Sequence, residues 1–186
     1  MKFKAKARQI HDLGLICKGM VNQYSGKMEF KSIVKIKGIA GVLFDSVPEF
    51  DKRYILLSDR RGEMMLELSE KIESFKAEKI SEASQAGTLS DEYKKIILDF
   101  SSEQRNVVAS QIKEELQPQF DELYKELGEE EKEFELSGTQ HKILVENFEV
   151  FAKELYKNKE AMVDMYNILV TNGSSDEVSP QSEEKK

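Results

Sequence analysis

DKRYILLSDRRGEMMLELSEKIESFKAEKISEA (51–83) and SDEYKKIILDFSSEQRNVVASQIKEELQPQFDELYKEL (90–127) decide the fold. Both are rich in Glu, Lys and Leu, and their apolar residues recur every three or four positions, the period of an α-helix with one buried side. In the first segment Met65, Leu68, Ile72 and Phe75 form a narrow stripe, ending at Lys79, of the kind a coiled-coil seam uses. In the second, Ser90 offers an N-cap, and Asp91 and Glu92 lie where a helix dipole favours acids. Its stripe is Tyr93, Ile96, Ile97, Phe100, Val107, Val108, Ile112 and Leu116, with polar residues from Ser101 to Arg105 thinning the middle. Pro118 is expected to kink or break this arm, and Gly128 to end it. The polar turn Ser84–Leu89 joins the two, so the expectation is a long antiparallel hairpin over about residues 50–127. Thirty residues of helix reach about 45 Å.

Working outward, Met1–Ala7 alternates Lys2, Lys4 and Lys6 with Phe3, Ala5 and Ala7, a half-buried strand. Lys132–Ser137 carries the opposite charges, with Glu133 and Glu135 on one face and Phe134 and Leu136 on the other. Pairing the two sets lysines against glutamates and buries Phe3 against Phe134 or Leu136. Gln9–Tyr24 reads as a helix weakened by Gly14 and Gly19, by about 1 kcal/mol each relative to alanine. Ser25–Gly26 stops it. Met28–Val47 is apolar nearly all round beyond Lys37 and is expected to be the central buried helix, closed by Pro48. A buried strand through Ile39–Phe44 is the alternative. Near the C-terminus, Thr139 is the expected N-cap of a helix over Gln140–Tyr156, followed by a last helix near Lys159–Val170. The expected whole is one mainly α domain over residues 1–170 with a two-stranded β element and a small helical core carrying the coiled-coil-like arm; residues 171–186 have a disordered composition.

The charge is uneven. The net charge is −7, but Met1–Arg61 carries 13 Lys and Arg against 6 Asp and Glu, while the rest carries 15 against 29. Two readings follow: the basic third packs on the acidic remainder, or it faces an acidic partner or a phosphate backbone through Lys2, Lys4, Lys6, Arg8, Lys27, Lys31, Lys35 and Lys37. One cysteine, Cys17, permits no internal disulfide and fits a reducing compartment. The two histidines, His11 and His141, have no partner at metal-ligand spacing and read as surface or capping residues. Ser25-Gly26-Lys27 lacks the first glycine of a phosphate loop and has Met28 where Ser or Thr is needed. Gly38-Ile39-Ala40-Gly41 has the spacing of a KH loop, but its middle residues suit helix packing. No cofactor, metal or catalytic set is expected, and the function is sought on surfaces: the arm's tip, with Gln85, Thr88 and Leu89, for a protein partner, or arm-to-arm pairing into a homo-oligomer.

Several segments in order resemble a family of small, uncharacterised proteins of tailed phages of Gram-positive bacteria. They are the opening Met1-Lys-Phe-Lys-Ala-Lys-Ala-Arg8-Gln9, the turn Ser25-Gly26-Lys27 into a second basic helix, the Glu/Leu/Tyr-rich helices, the acidic segment and strand Gly128–Ser137, and the closing apolar helix. The resemblance implies a phage accessory protein in the cytoplasm of the infected bacterium, an assembly factor or an inhibitor of a host factor, without an enzymatic centre.

Overall fold

The computed structural model describes residues 1–85, 91–155, 163 and 166–170. The protein is mainly helical with one two-stranded antiparallel sheet. The order is β1 (Lys2–Lys6), α1 (Ala7–Tyr24), a 3₁₀ turn (Ser25–Lys27), α2 (Phe30–Asp45), α3 (Pro48–Gln85), α4 (Asp91–Gln111), α5 (Gln117–Leu123), β2 (Glu131–Glu135) and α6 (Gly138–Leu155). Contacts divide the chain into two compact units, Met1–Asp51 with the chain from Glu126 onward, and Lys52–Lys125.

The first unit is closed by the pairing of β1 and β2. Lys2 lies opposite Glu135, Phe3 opposite Phe134 and Lys4 opposite Glu133. The Phe3 and Phe134 rings stack with centroids 5.0 Å apart, and both partners of this one apolar cross-strand pair in the register are buried. The Ala7 amide donates to the Glu130 carbonyl and the Leu136 amide to the Met1 carbonyl, extending the ladder at both ends. Behind the sheet, Ile10, Leu13, Cys17 and Met20 of α1 are buried together with Ile36, Ile39 and Leu43 of α2 and Leu144, Phe148 and Phe151 of α6.

Two expectations for this unit change. α2 is not buried all round: Ile36, Ile39, Ala40 and Leu43 face inward, while Phe30 and Val34 face solvent. Its apolar content exceeds what one contact face can cover. The N-cap of α6 is Ser137, not Thr139. The Ser137 hydroxyl accepts from the Gln140 amide and the Gln140 side chain accepts from the Ser137 amide, a reciprocal capping box. Pro48 ends α2 as expected and also opens α3, where the missing N–H costs nothing.

The second unit is a helical hairpin. α3 runs 38 residues without a break. Two aromatic pairs fix the antiparallel register: Phe75 stacks on Phe100 at 3.8 Å, and Tyr54 meets Phe120 edge-on at 5.7 Å. The buried line on α3 uses Met64, Leu68 and Ala83, with Ile72, Phe75 and Lys79 half-buried. Met65 faces solvent, so the expected stripe is displaced by one residue at its start. Met64 to Phe75, Leu68 to Lys79 and Ile72 to Ala83 are each eleven residues apart. An eleven-residue repeat, about 3.67 residues per turn, drifts around the helix in the opposite sense to a heptad, so this spacing differs from the three-and-four stripe expected. Ile96 and Val107, also expected inward, face solvent too. Buried Ser101 holds the thin middle, its hydroxyl donating to the Ile97 carbonyl at 2.7 Å. Pro118 does not break the return arm. A π-helical stretch, Ile112–Leu116, precedes it and absorbs the missing amide. A second, Tyr124–Gly128, ends the arm.

Candidate interaction surfaces

Each basic residue singled out in the sequence is placed by its element, and the eight do not act alike. On β1 and at the start of α1, charge is paired internally. Lys4 pairs with Glu131 at 3.1 Å, and Glu129 takes both Lys6 and, at 3.0 Å, Arg8. The hydrogen bond from Lys6, assisted by the Arg8 charge and opposed by partial desolvation, holds the Glu129 carboxyl below its usual range. The hydrogen bond and charge of Glu131 likewise raise Lys4. For these residues the basic third does pack on the acidic remainder. Lys2 is exposed opposite Glu135. Lys27 ends the 3₁₀ turn.

Lys31, Lys35 and Lys37 are different. All three are exposed on α2, and none makes an ion pair among the described residues. They border the part of α2 that the core leaves uncovered. At about 100° per residue, Phe30, Val34, Gly38 and Gly41 fall on one line, with Lys37 on one side and Lys31 and Lys35 on the other. Phe30 is 78% exposed and Val34 53%. A Cβ placed on Gly38 or Gly41 would meet nothing within 4 Å, so the glycines leave that lane shallow and open.

The hairpin shows a second unsatisfied surface. Leu56 and Leu66 of α3 and Leu98 of α4 are each more than 60% exposed. Ile55, Gly62 and Leu66 share one line of α3, and Leu56, Asp59 and Glu70 lie beside it. Asp59, Glu67 and Glu70 are exposed and, among the described residues, form no ion pair. Of the expected tip residues, Thr88 and Leu89 lie outside the described residues, as does the side chain of Gln85.

Groups with potential chemistry are occupied structurally. His11 is fully buried, correcting the surface reading: its ring packs against Phe44 at 5.4 Å and Phe50 at 5.1 Å, and its Nε2 lies 3.2 Å from an Asp51 carboxylate oxygen. Its neighbours one and two turns on, Gly14 and Lys18, could have signalled this, since all three lie under Phe44. A Gly14 Cβ would come within 2.7 Å of the Phe44 ring, and Lys18 Nζ stands 4.2 Å from the ring's centre. His141 has other neighbours, with Nε2 2.8 Å from the Leu169 carbonyl oxygen and its ring 5.4 Å from Phe3. Cys17 is core, and burial pushes its thiol up to about 12. A hollow lined by Ala7, Val47, Phe50 and Leu127 also takes in Glu130 and Lys132, which pair with each other at 2.7 Å. No group of three or more potential metal ligands occurs among the described residues, and no described helix is long and apolar enough to cross a membrane. The chain matches no protein-family model, no curated protein and no solved structure.

Proposed function

We propose that this protein is a non-enzymatic protein–protein interaction module whose helical hairpin presents the binding surface. One observation carries the reading: among the described residues of the hairpin unit, eight large apolar side chains face solvent and five apolar side chains are buried. A two-helix hairpin covers only one side of each helix, and exposed apolar surface of this kind gains free energy when another surface covers it. Acidic residues between the exposed leucines keep the free protein soluble and bias the choice of partner by charge. The resemblance to phage proteins supports a host or virion protein as that partner, engaged inside the infected bacterium. The pairing of Lys4, Lys6 and Arg8 with glutamates weighs against a nucleic-acid surface built from all eight basic residues.

The test is affinity capture of the tagged protein from bacterial lysate with nuclease, read by mass spectrometry. It compares the wild type with Leu56→Glu, Leu66→Glu and Leu98→Glu. The expected result is one stoichiometric protein that survives nuclease and is lost by about tenfold or more in at least one variant whose helical circular dichroism is unchanged. Capture unaltered in all three would refute the hairpin as the binding surface.

A further inference from the structure

The two uncovered lanes complement each other. The α2 lane is apolar and basic, with Phe30 and Val34 bordered by Lys31, Lys35 and Lys37. The α3 lane is apolar with acids on one flank: Ile55, Leu56 and Leu66, with Asp59 inside the stretch and Glu67 and Glu70 just past it, three carboxylates against the one exposed lysine, Lys52, that precedes it. Both span twelve residues, Phe30–Gly41 and Ile55–Leu66, or about 16 Å of helix. Apart from the glycines, each lane consists of exposed apolar side chains and charges that the described fold leaves uncompensated. We propose that the occupant of the α2 lane is the α3 lane of a second copy of this chain. This deepens the interaction reading of the hairpin and rests on it.

The chemistry favours this occupant over two others. A phosphate backbone would use the three lysines and leave Phe30 and Val34 in water, and three contacts make a small electrostatic footprint. A lipid surface would find little to insert beyond Phe30 and Val34, since Gly38 and Gly41 have no side chains to bury. An acidic amphipathic helix uses both halves of the lane. Its leucines cover Phe30 and Val34, its carboxylates face the lysines, and the glycines let its backbone approach closely. α3 is such a helix. A strip one helix wide (about 10 Å) and about 16 Å long covers far less than the roughly 800 Å² per partner of a stable complex, so association is weak and reversible and responds to concentration and salt.

The experiment is sedimentation velocity on the full chain over a range of concentrations at low and high salt. It uses wild type, Lys31→Glu with Lys35→Glu, and Asp59→Lys with Glu70→Lys. The expected wild-type mass rises with concentration and falls with salt. Each charge-reversed protein is weakened about tenfold or more. An equimolar mixture of the two recovers association, because the acidified α2 lane of one now meets the basified α3 lane of the other. Phe30→Ser, at a site too exposed to affect folding, weakens association without changing charge. A wild type that stays monomeric, reversals without effect, or a mixture that fails to recover each overturns the proposal. So does association that disappears with nuclease. A strict monomer that still captures a foreign protein through its leucines defeats this inference and leaves the hairpin reading standing. Self-association alongside capture indifferent to Leu56, Leu66 and Leu98 leaves this inference standing, removes the foreign partner from the hairpin reading and makes the hairpin's partner a second copy.

Discussion

Gly14 shows how one residue's value depends on what faces it. By helix propensity alone, alanine should be better there by about 1 kcal/mol. The structure reverses the sign, because a Cβ at Gly14 would sit 2.7 Å from the tip of the Phe44 ring. Phe44 is wedged by His11, whose ring touches it edge-on, and by the Lys18 ammonium, so it has little room to withdraw. Overpacking of this kind costs about 1–3 kcal/mol. Gly14→Ala is therefore expected to lower the denaturation midpoint. Gly62→Ala, where nothing lies within 4 Å, should raise stability by about 0.5–1 kcal/mol. Pairing Gly14→Ala with Phe44→Leu should restore most of the loss. Urea titrations of the three variants decide it, and a stabilised Gly14→Ala would refute the contact.

At the scale of elements, the β1–β2 clasp carries an electrostatic prediction whose sign follows from its two perturbed groups. Glu129 is held below its ordinary value by Lys6 and Arg8. Its contribution is present above the unfolded carboxyl value near 4.5 and is lost as pH falls through the lower folded value. Lys4 is raised by Glu131. Its contribution is full below the unfolded lysine value near 10.5 and is lost as pH rises through the folded one. The clasp is thus strongest across the neutral range and weakens at both ends. Glu129→Gln should lower the melting temperature at neutral pH. The gap to wild type should close as pH falls below the lowered folded value of Glu129 and shrink in about 0.5 M salt, because these pairs are solvent-exposed and screened. A gap independent of pH would mean that the substitution removes packing rather than charge.

Much of this clasp was legible in the sequence. Period two, lysines on one strand and glutamates on the other, and Phe3 with Phe134 together admit few registers. The helical seams were legible in type but not in phase. Met64 and Met65 are one residue apart, about 100° around the helix, and apolar content does not say which turns inward. The eleven-residue spacing of the true seam was available as a signal, as was the Ser-x-x-Gln that makes Ser137 the cap of α6. The open side of α2 was not legible. Four inward residues satisfy the core, and only the packed structure shows that Phe30 and Val34 have no neighbour to cover them. Likewise, the split of the basic third into paired and unpaired charges depends on distances, such as 3.0 Å from Arg8 to Glu129, that composition does not contain.

For the whole molecule, the contrast lies between a unit with a closed core and a unit with a seam. In the first, α1 and α2 bury Ile10, Leu13, Met20, Ile36, Ile39 and Leu43 to 1% exposure or less, against α6 and the sheet. In the second, apart from Leu116 and Leu123, the buried side chains among the described residues are Met64, Leu68, Ala83 and Ser101, and the middle of the return helix offers a serine where a leucine would pack. Local opening free energy follows buried apolar contact, so the units should not open together. Native-state hydrogen exchange is expected to show amides of residues 101–105 exchanging at least about tenfold faster than those around Leu13 and Ile39. The Ser101 hydroxyl bond to the Ile97 carbonyl adds to this, since it competes for a carbonyl that the helix ladder also uses. Raising the protein concentration should then slow exchange over Ile55–Leu66 and Phe30–Gly41 together, because in the proposed association each lane covers the other. It should leave residues 101–105 fast. Uniform protection across the two units at low concentration would show that the hairpin is held as firmly as the core and would remove the reason to expect that it seeks a partner.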